Sequence, residues 1–205
     1  MDPNEFPTKG NLIQAKNSLS LANQGHELMD KKRNILIREL MNLIDEAKSI
    51  QTEIDETFTR AYQALQKANI EMGSNYVEEL SHSVPLEESI RIKTRSIMGT
   101  EIPLVEYEPD SGKPTYAFLS TRESIDRAKR NFGRVKELTL RLSMVENAAY
   151  RLAVNIRKTQ KRANALKNIT IPLYTERVRD ISNALEEKER EEFTRLKVIK
   201  RNMKG

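Results

Sequence analysis

The chain of 205 residues has no cysteine, no tryptophan and only two histidines. Without cysteine there can be no disulfide, thiolate metal site or cysteine nucleophile, a composition compatible with a reducing compartment. His26 and His82 alone exclude a histidine-rich metal site. Glycine and proline number seven each and aromatics make up 5% of residues, so the large side chains that fill a round core are scarce. A compact enzyme fold is thereby disfavoured. No run approaches the ~20 consecutive apolar residues that cross a bilayer. The first ten residues carry Asp2 and Glu5 where a leader would be basic and then apolar. The chain is expected to be cytoplasmic and soluble, meeting a membrane only through partners.

What the chain has in abundance is charge, 32% of residues, unevenly placed. Residues 1–73 carry 9 basic and 11 acidic side chains, 74–119 carry 4 and 8, and 120–205 carry 22 and 11. The last third holds the positive charge, as a surface facing an anionic partner would. Its final residues include Arg190, Arg195, Lys197, Lys200, Arg201 and Lys204. These cations suit a helix C-terminus and are equally a candidate tip for contacting a partner.

Thr8 reads as an N-cap before an apolar periodicity. Alternate steps of three and four give Leu12, Ala15, Leu19, Ala22, His26, Met29, Arg33, Leu36, Leu40, Leu43, Ala47, Ile50, Ile54, Thr57, Ala61, Ala64 and Ala68. Fourteen of these seventeen are apolar. A 3.5-residue repeat sustained over eight heptads is a coiled-coil seam, and it predicts one helix from residue 8 to about 80, roughly 100 Å long. A second run opens near Ser120, where Glu123 completes an S-x-x-E capping box. Its seam runs through Ile125, Ala128, Phe132, Val135 and Leu138 to Leu173, then rotates through Val178, Ile181, Leu185, Phe193, Leu196 and Ile199. Pro172 predicts a kink near residues 168–172.

Between the helices, residues 81–119 hold four of the seven prolines. Ser89–Arg95 alternates at period two and Ile102–Tyr107 is a second short apolar run, separated from it by Met98-Gly99-Thr100. That predicts a β-hairpin, followed by a turn over Asp110–Pro114. The expected architecture is all-α: a long antiparallel two-helix coiled coil with a small central β-hairpin insert. Its segments are the N-terminal helix 1–80, the insert 81–119 and the C-terminal helix 120–205.

The familiar phosphate, metalloprotease and nucleophile motifs are absent. Acidic pairs such as Glu186-Glu187 fit a solvated helix face better than paired general acids, which would need a cleft. No catalytic, cofactor or metal residues are assigned. His26 and Arg33 stand one heptad apart in the first seam; if residue 80 faces about 121, then 26 faces about 175, and Glu176 and Asp180 are candidate partners in a polar layer. Gly25 and Pro172 fall near the same level.

Particular strings then add to the periodicity. Pro7-Thr-Lys-Gly-Asn-Leu12, Gly25-His-Glu-Leu28 and Lys31-Lys-Arg-Asn34 resemble the first helix of the D subunit of the V-type and archaeal-type rotary ATPases. So do Thr159-Gln-Lys-Arg-Ala-Asn-Ala-Leu166, Ile171-Pro172 and Leu185-Glu-Glu-Lys-Glu-Arg-Glu-Glu-Phe-Thr-Arg-Leu-Lys197. Ala163 stands where that family often has valine, and Lys167 where an acid is common. The resemblance implies a non-catalytic central rotor shaft, or central stalk, that couples ATP hydrolysis or synthesis in a soluble head to rotation of a membrane ion-translocating ring. It implies partners as well: the catalytic A and regulatory B subunits of the head, the small F subunit of the stalk, and a membrane-ring adaptor of C or d type. No nucleic acid is among them. The competing readings are a basic coiled coil that binds nucleic acid and a membrane-surface scaffold. Residues 122–167 hold 13 basic and 4 acidic side chains, which favours the first of these, but only Phe132 and Tyr150 could stack on bases.

Overall fold

The computed structural model describes residues 6–108, 115–117 and 120–203. In chain order the elements are α1 (Lys9–Met72), α2 (Ser74–Ser81), β1 (Arg91–Ile97), β2 (Thr100–Glu106), α3 (Glu123–Ala165), a π-helical turn (Leu166–Thr170) and α4 (Ile171–Asn202). The expected turn over Asp110–Pro114 lies outside the described residues. The chain divides into two compact units, a central one of residues 36–155 and a terminal one of 1–35 with 156–205.

Thr8 caps α1, its hydroxyl accepting from the Asn11 backbone N–H at 3.1 Å, which satisfies one of the orphan donors of the first turn. Every one of the seam positions from Leu12 to Ala68 is buried or half-buried. The heptad pattern therefore names the packed face of α1 correctly along its whole length. The helix does not continue to about 80, because Gly73 at φ +87° leaves the helical region and α2 starts afresh at Ser74. Only glycine adopts that conformation without a steric cost.

Within the central unit α1 and α3 pair antiparallel. Arg134 reaches Glu53 at 2.9 Å, Arg141 reaches Glu46 at 2.6 Å, and the Ser124 hydroxyl donates to Glu71 at 2.7 Å. Ile50, Ile54, Leu138 and Val145 form one buried cluster; Ala68, Val77 and Ile125 form another, which joins α2 to the pair. Burying each of the larger aliphatic side chains contributes about 1.5–3 kcal/mol, while buried Ala61, Ala64 and Ala68 let backbones approach closely. Phe58, Tyr62 and Phe132 add a stacked and an edge-to-face ring contact.

The expected hairpin is present: β1 and β2 pair antiparallel with Ile97 opposite Thr100. Met98 and Gly99 make the two-residue turn with φ +49° and +75°, the positive pair that matches the twist of a hairpin. Three contacts lay it along α3. Arg151 donates to the Glu101 carbonyl at 3.2 Å, Asn155 donates to the Thr100 hydroxyl, and the Val105 N–H points at the Met144 sulfur at 3.4 Å.

The Ser120–Glu123 capping box does not form. The helix begins three residues later, at Glu123, and the Ser120 hydroxyl donates instead to the Ala117 carbonyl at 3.2 Å. Among the described residues of the terminal unit, Ala15, Ala22, Thr159, Ala163 and Ile181 are buried. Lys9 lies 3.2 Å from Glu189, Arg33 bonds Gln160, and Gly25 faces Leu166. The irregularity expected near Pro172 takes the form of the π-helical turn, in which the Ile171 N–H bonds the Leu166 carbonyl five residues back. Proline has no N–H and its ring crowds the carbonyl four residues before it; one wider turn accommodates both. Leu173, on the predicted seam, is exposed beyond it.

Candidate functional site

The predicted polar layer has partners other than those expected. Asp30 stands between them: its carboxylate is 3.7 Å from His26 Nε2 and 3.1 Å from the Arg33 guanidinium. Arg33 also donates to the side-chain oxygens of Gln160 at 2.8 Å and Asn34 at 3.2 Å, and Gln160 donates onward to Asn164 at 2.8 Å. Glu176 and Asp180 are not brought to His26; both lie beside Arg179 on α4, at 3.9 and 3.4 Å. The reason is register. The level of residue 25 falls at Leu166, where counting back from an 80-to-121 turn places it near 175. Asp30 was legible from spacing, four residues after His26 and three before Arg33 on one helix face. Gln160 and Asn164 were not, because an amide on a basic helix carries no pattern of its own.

The candidate tip is the end of α4. Lys9, at the start of α1, meets Glu189, and α4 runs on to Asn202. Over residues 191–203 every side chain is exposed, including Phe193 at 69%, Leu196 at 65% and Ile199 at 54%. Arg190 and Arg195 pair within the helix with Glu186 and Glu191, at 3.8 and 3.6 Å. Lys197, Lys200 and Arg201 have no ion pair among the described residues, and Lys204 lies outside them. Arg190, Lys197 and Arg201, spaced by seven and four, share one helix face beside the apolar one. An exposed face of that composition can seat in an acidic, partly apolar socket.

Elsewhere the polar groups are structural. Glu87, before the hairpin, is held at a pKa of about 2, first by the hydrogen bond from Lys136 and then by those from Ser89. The Tyr116 phenol is pushed up to about 12 by burial and by its 2.6 Å bond to Asp126. Glu71 is lowered by the Ser124 hydroxyl. Among the described residues no group of three or more acidic or histidine side chains is placed to hold a metal ion. None of their helices is long and apolar enough to cross a membrane.

Comparison with known proteins bears on the whole chain. The sequence profile of the family described as the D subunit of ATP synthase matches residues 11–201. The V-type ATP synthase D subunit of Thermotoga neapolitana is 43% identical over 194 residues, covering 95% of this chain and 96% of that protein. The A-type ATP synthase D subunit of Pyrococcus abyssi is 39% identical over 197 residues, 95% and 92% of the two chains. That of Thermococcus kodakarensis is 38% identical over 200 residues, 96% and 94%.

Proposed function

Because the chain belongs to the D subunit family of V-type and A-type ATP synthases, we propose that it is the central rotor shaft of such a complex. It couples ATP hydrolysis or synthesis in a soluble head to rotation of a membrane ion-translocating ring. The active sites lie on partner subunits and this chain is non-catalytic. Its partners are the catalytic A and regulatory B subunits of the head, the small F subunit of the stalk and an adaptor on the membrane ring. It works at the cytoplasmic side and reaches the membrane only through that adaptor.

The observation that supports the head contact is the run of α4 past Glu189, with Phe193, Leu196 and Ile199 exposed beside Lys197, Lys200 and Arg201. An isolated helix gains nothing from exposing three large apolar side chains in two turns, whereas a socket in the head would bury them. A coiled-coil seam transmits torque through side-chain packing and needs no cofactor. The polar layer around Asp30 fits the same role by holding one helix pairing under load.

Removal of residues 196–205 tests this. The truncated chain is expected to bind the reconstituted head of A and B subunits at least about tenfold more weakly, since apolar anchors and charges are lost together. Unchanged affinity and unchanged ATP-driven rotation would reject the tip as the head contact.

A further inference from the structure

A cavity of about 370 Å³ lies in the central unit, where α2 packs back against the start of α3. Leu65 of α1, Val77 and Leu80 of α2, and Ile125 and Phe132 of α3 stand in its walls. Val77 and Ile125 also belong to the buried cluster that joins α2 to the helix pair, so packing holds the walls in place. A concave, mostly apolar space of that size suits a small ligand.

Gly133 lines the same cavity from the interior of α3, where glycine destabilises a helix relative to alanine. Other glycines of the chain have a local reason. Gly73 and Gly99 hold positive φ, and a Cβ at Gly25 would meet Leu166 at 3.6 Å. At Gly133 the backbone is helical and a Cβ would meet nothing within 4 Å. Packing within the described chain does not ask for glycine there, and its effect is to leave the cavity wall without a side chain. The charge around the cavity is of one sign. Lys129 and Lys136, both half-buried, line it, and none of the described lining residues is acidic. Glu87 engages Lys136 at 2.6 Å, and Asp126 accepts the phenol of Tyr116, another lining residue, at 2.6 Å. Lys129 stands 5.7 Å from the centre of that ring, which sets an ammonium group beside an apolar wall.

We propose that this cavity binds the anion of a medium-chain fatty acid, with its alkyl chain among Leu65, Val77, Leu80 and Phe132, its path past Gly133, and its carboxylate at Lys129. Such a site stands apart from the rotor reading and needs no partner subunit. Charge complementarity selects the head group, because a carboxylate gains an ammonium partner and meets no acid in the lining. The walls select the tail. Each methylene taken from water into an apolar space is favourable, whereas a polar ligand would leave its groups unpaired against leucine, valine and phenylalanine.

The test titrates the purified full chain with dodecanoate, below its micelle-forming concentration, by calorimetry. Saturable binding of one equivalent is expected, and the melting temperature should rise by at least about 2 °C at saturation. Gly133→Leu places an alkyl side chain in the cavity. It is expected to weaken binding at least about tenfold while the free chain melts no lower than wild type, since leucine is the better helix former. Lys129→Gln should weaken dodecanoate about fivefold and leave the weaker binding of dodecanol, which has the same tail without charge, unchanged. Lys129→Arg should retain binding, and helical circular dichroism verifies that each variant is folded. Absence of saturable binding, or binding at many equivalents that neither variant alters, overturns the proposal. Dodecanol bound by wild type as tightly as dodecanoate overturns the place given to the carboxylate. A wild-type chain that ignores dodecanoate, together with a Gly133→Leu variant that loses the F subunit or the adaptor, assigns the cavity to a partner's side chain and overturns the fatty-acid site while leaving the rotor reading intact.

Discussion

The guanidinium of Arg33 donates to the side-chain oxygen of Gln160 at 2.8 Å, a bond between residues 127 apart in sequence. The same guanidinium stands 3.1 Å from the Asp30 carboxylate. One arginine thus ties the acid of its own helix to an amide across the pair, at the level where the seam is least apolar.

Replacing Arg33 with Met is expected to destabilise the chain by about 1 kcal/mol, because it strips a half-buried acid and amide of a charged donor. The double variant Arg33→Met with Gln160→Met should recover the part of that loss that comes from the stranded amide, while Asp30 keeps only His26 nearby. Register supplies an independent readout in a chain that has no cysteine. Gly25→Cys with Leu166→Cys should cross-link rapidly on oxidation, and more slowly once Arg33 is Met. Equal rates in the two backgrounds would deny the layer any part in fixing the register.

The attachment of the insert is expected to be acid-sensitive. Glu87 is lowered from 4.5 to about 2 by Lys136 and Ser89, so its contribution is fully present above about pH 4.5 and is lost as pH falls through about 2. Glu87→Gln should therefore be less stable than wild type at pH 7, with the difference vanishing near pH 2. Thermal unfolding across that range measures it. A gap between the two proteins that stays constant with pH would contradict the assignment.

Two backbone positions give opposite expectations. Met98 holds φ +49° in the hairpin turn, a conformation that asparagine tolerates better. Met98→Asn should stabilise the chain by a few tenths of a kcal/mol up to about 1. Gly73 holds φ +87° between α1 and α2 with open space around its missing Cβ, so Gly73→Ala is resisted by backbone conformation alone and should cost about 1 kcal/mol or more. Calorimetry on both variants reads the signs. A stabilising Gly73→Ala would mean that α1 can run through into α2.

Most of the architecture was legible because it is periodic. A stripe that repeats from Leu12 to Ala68 leaves one face of α1 to bury, and that face is the buried one. The hairpin was legible from alternation flanking Met98-Gly99. Register was not, because it depends on where a helix stops, and the stop at Gly73 is a single residue inside an otherwise helical pattern. The Ser120 box misled for a related reason: the residue types stand at the right spacing, but the segment around Ala117 engages the Ser120 hydroxyl first. The tip cations could be named from charge alone. Their exposure together with Phe193, Leu196 and Ile199 required knowing that Lys9, and with it the start of α1, stands at Glu189.

A rotor shaft must turn inside a stationary head, and that motion can be watched. With the head fixed to a surface through its A and B subunits and a bead attached to a cysteine introduced at Glu88 in this chain, addition of ATP is predicted to drive sustained rotation of the bead in one direction. The rotation should stop when hydrolysis in the head is inhibited. A bead that stays fixed relative to the head while ATP is hydrolysed at the full rate would exclude a rotor role for this chain.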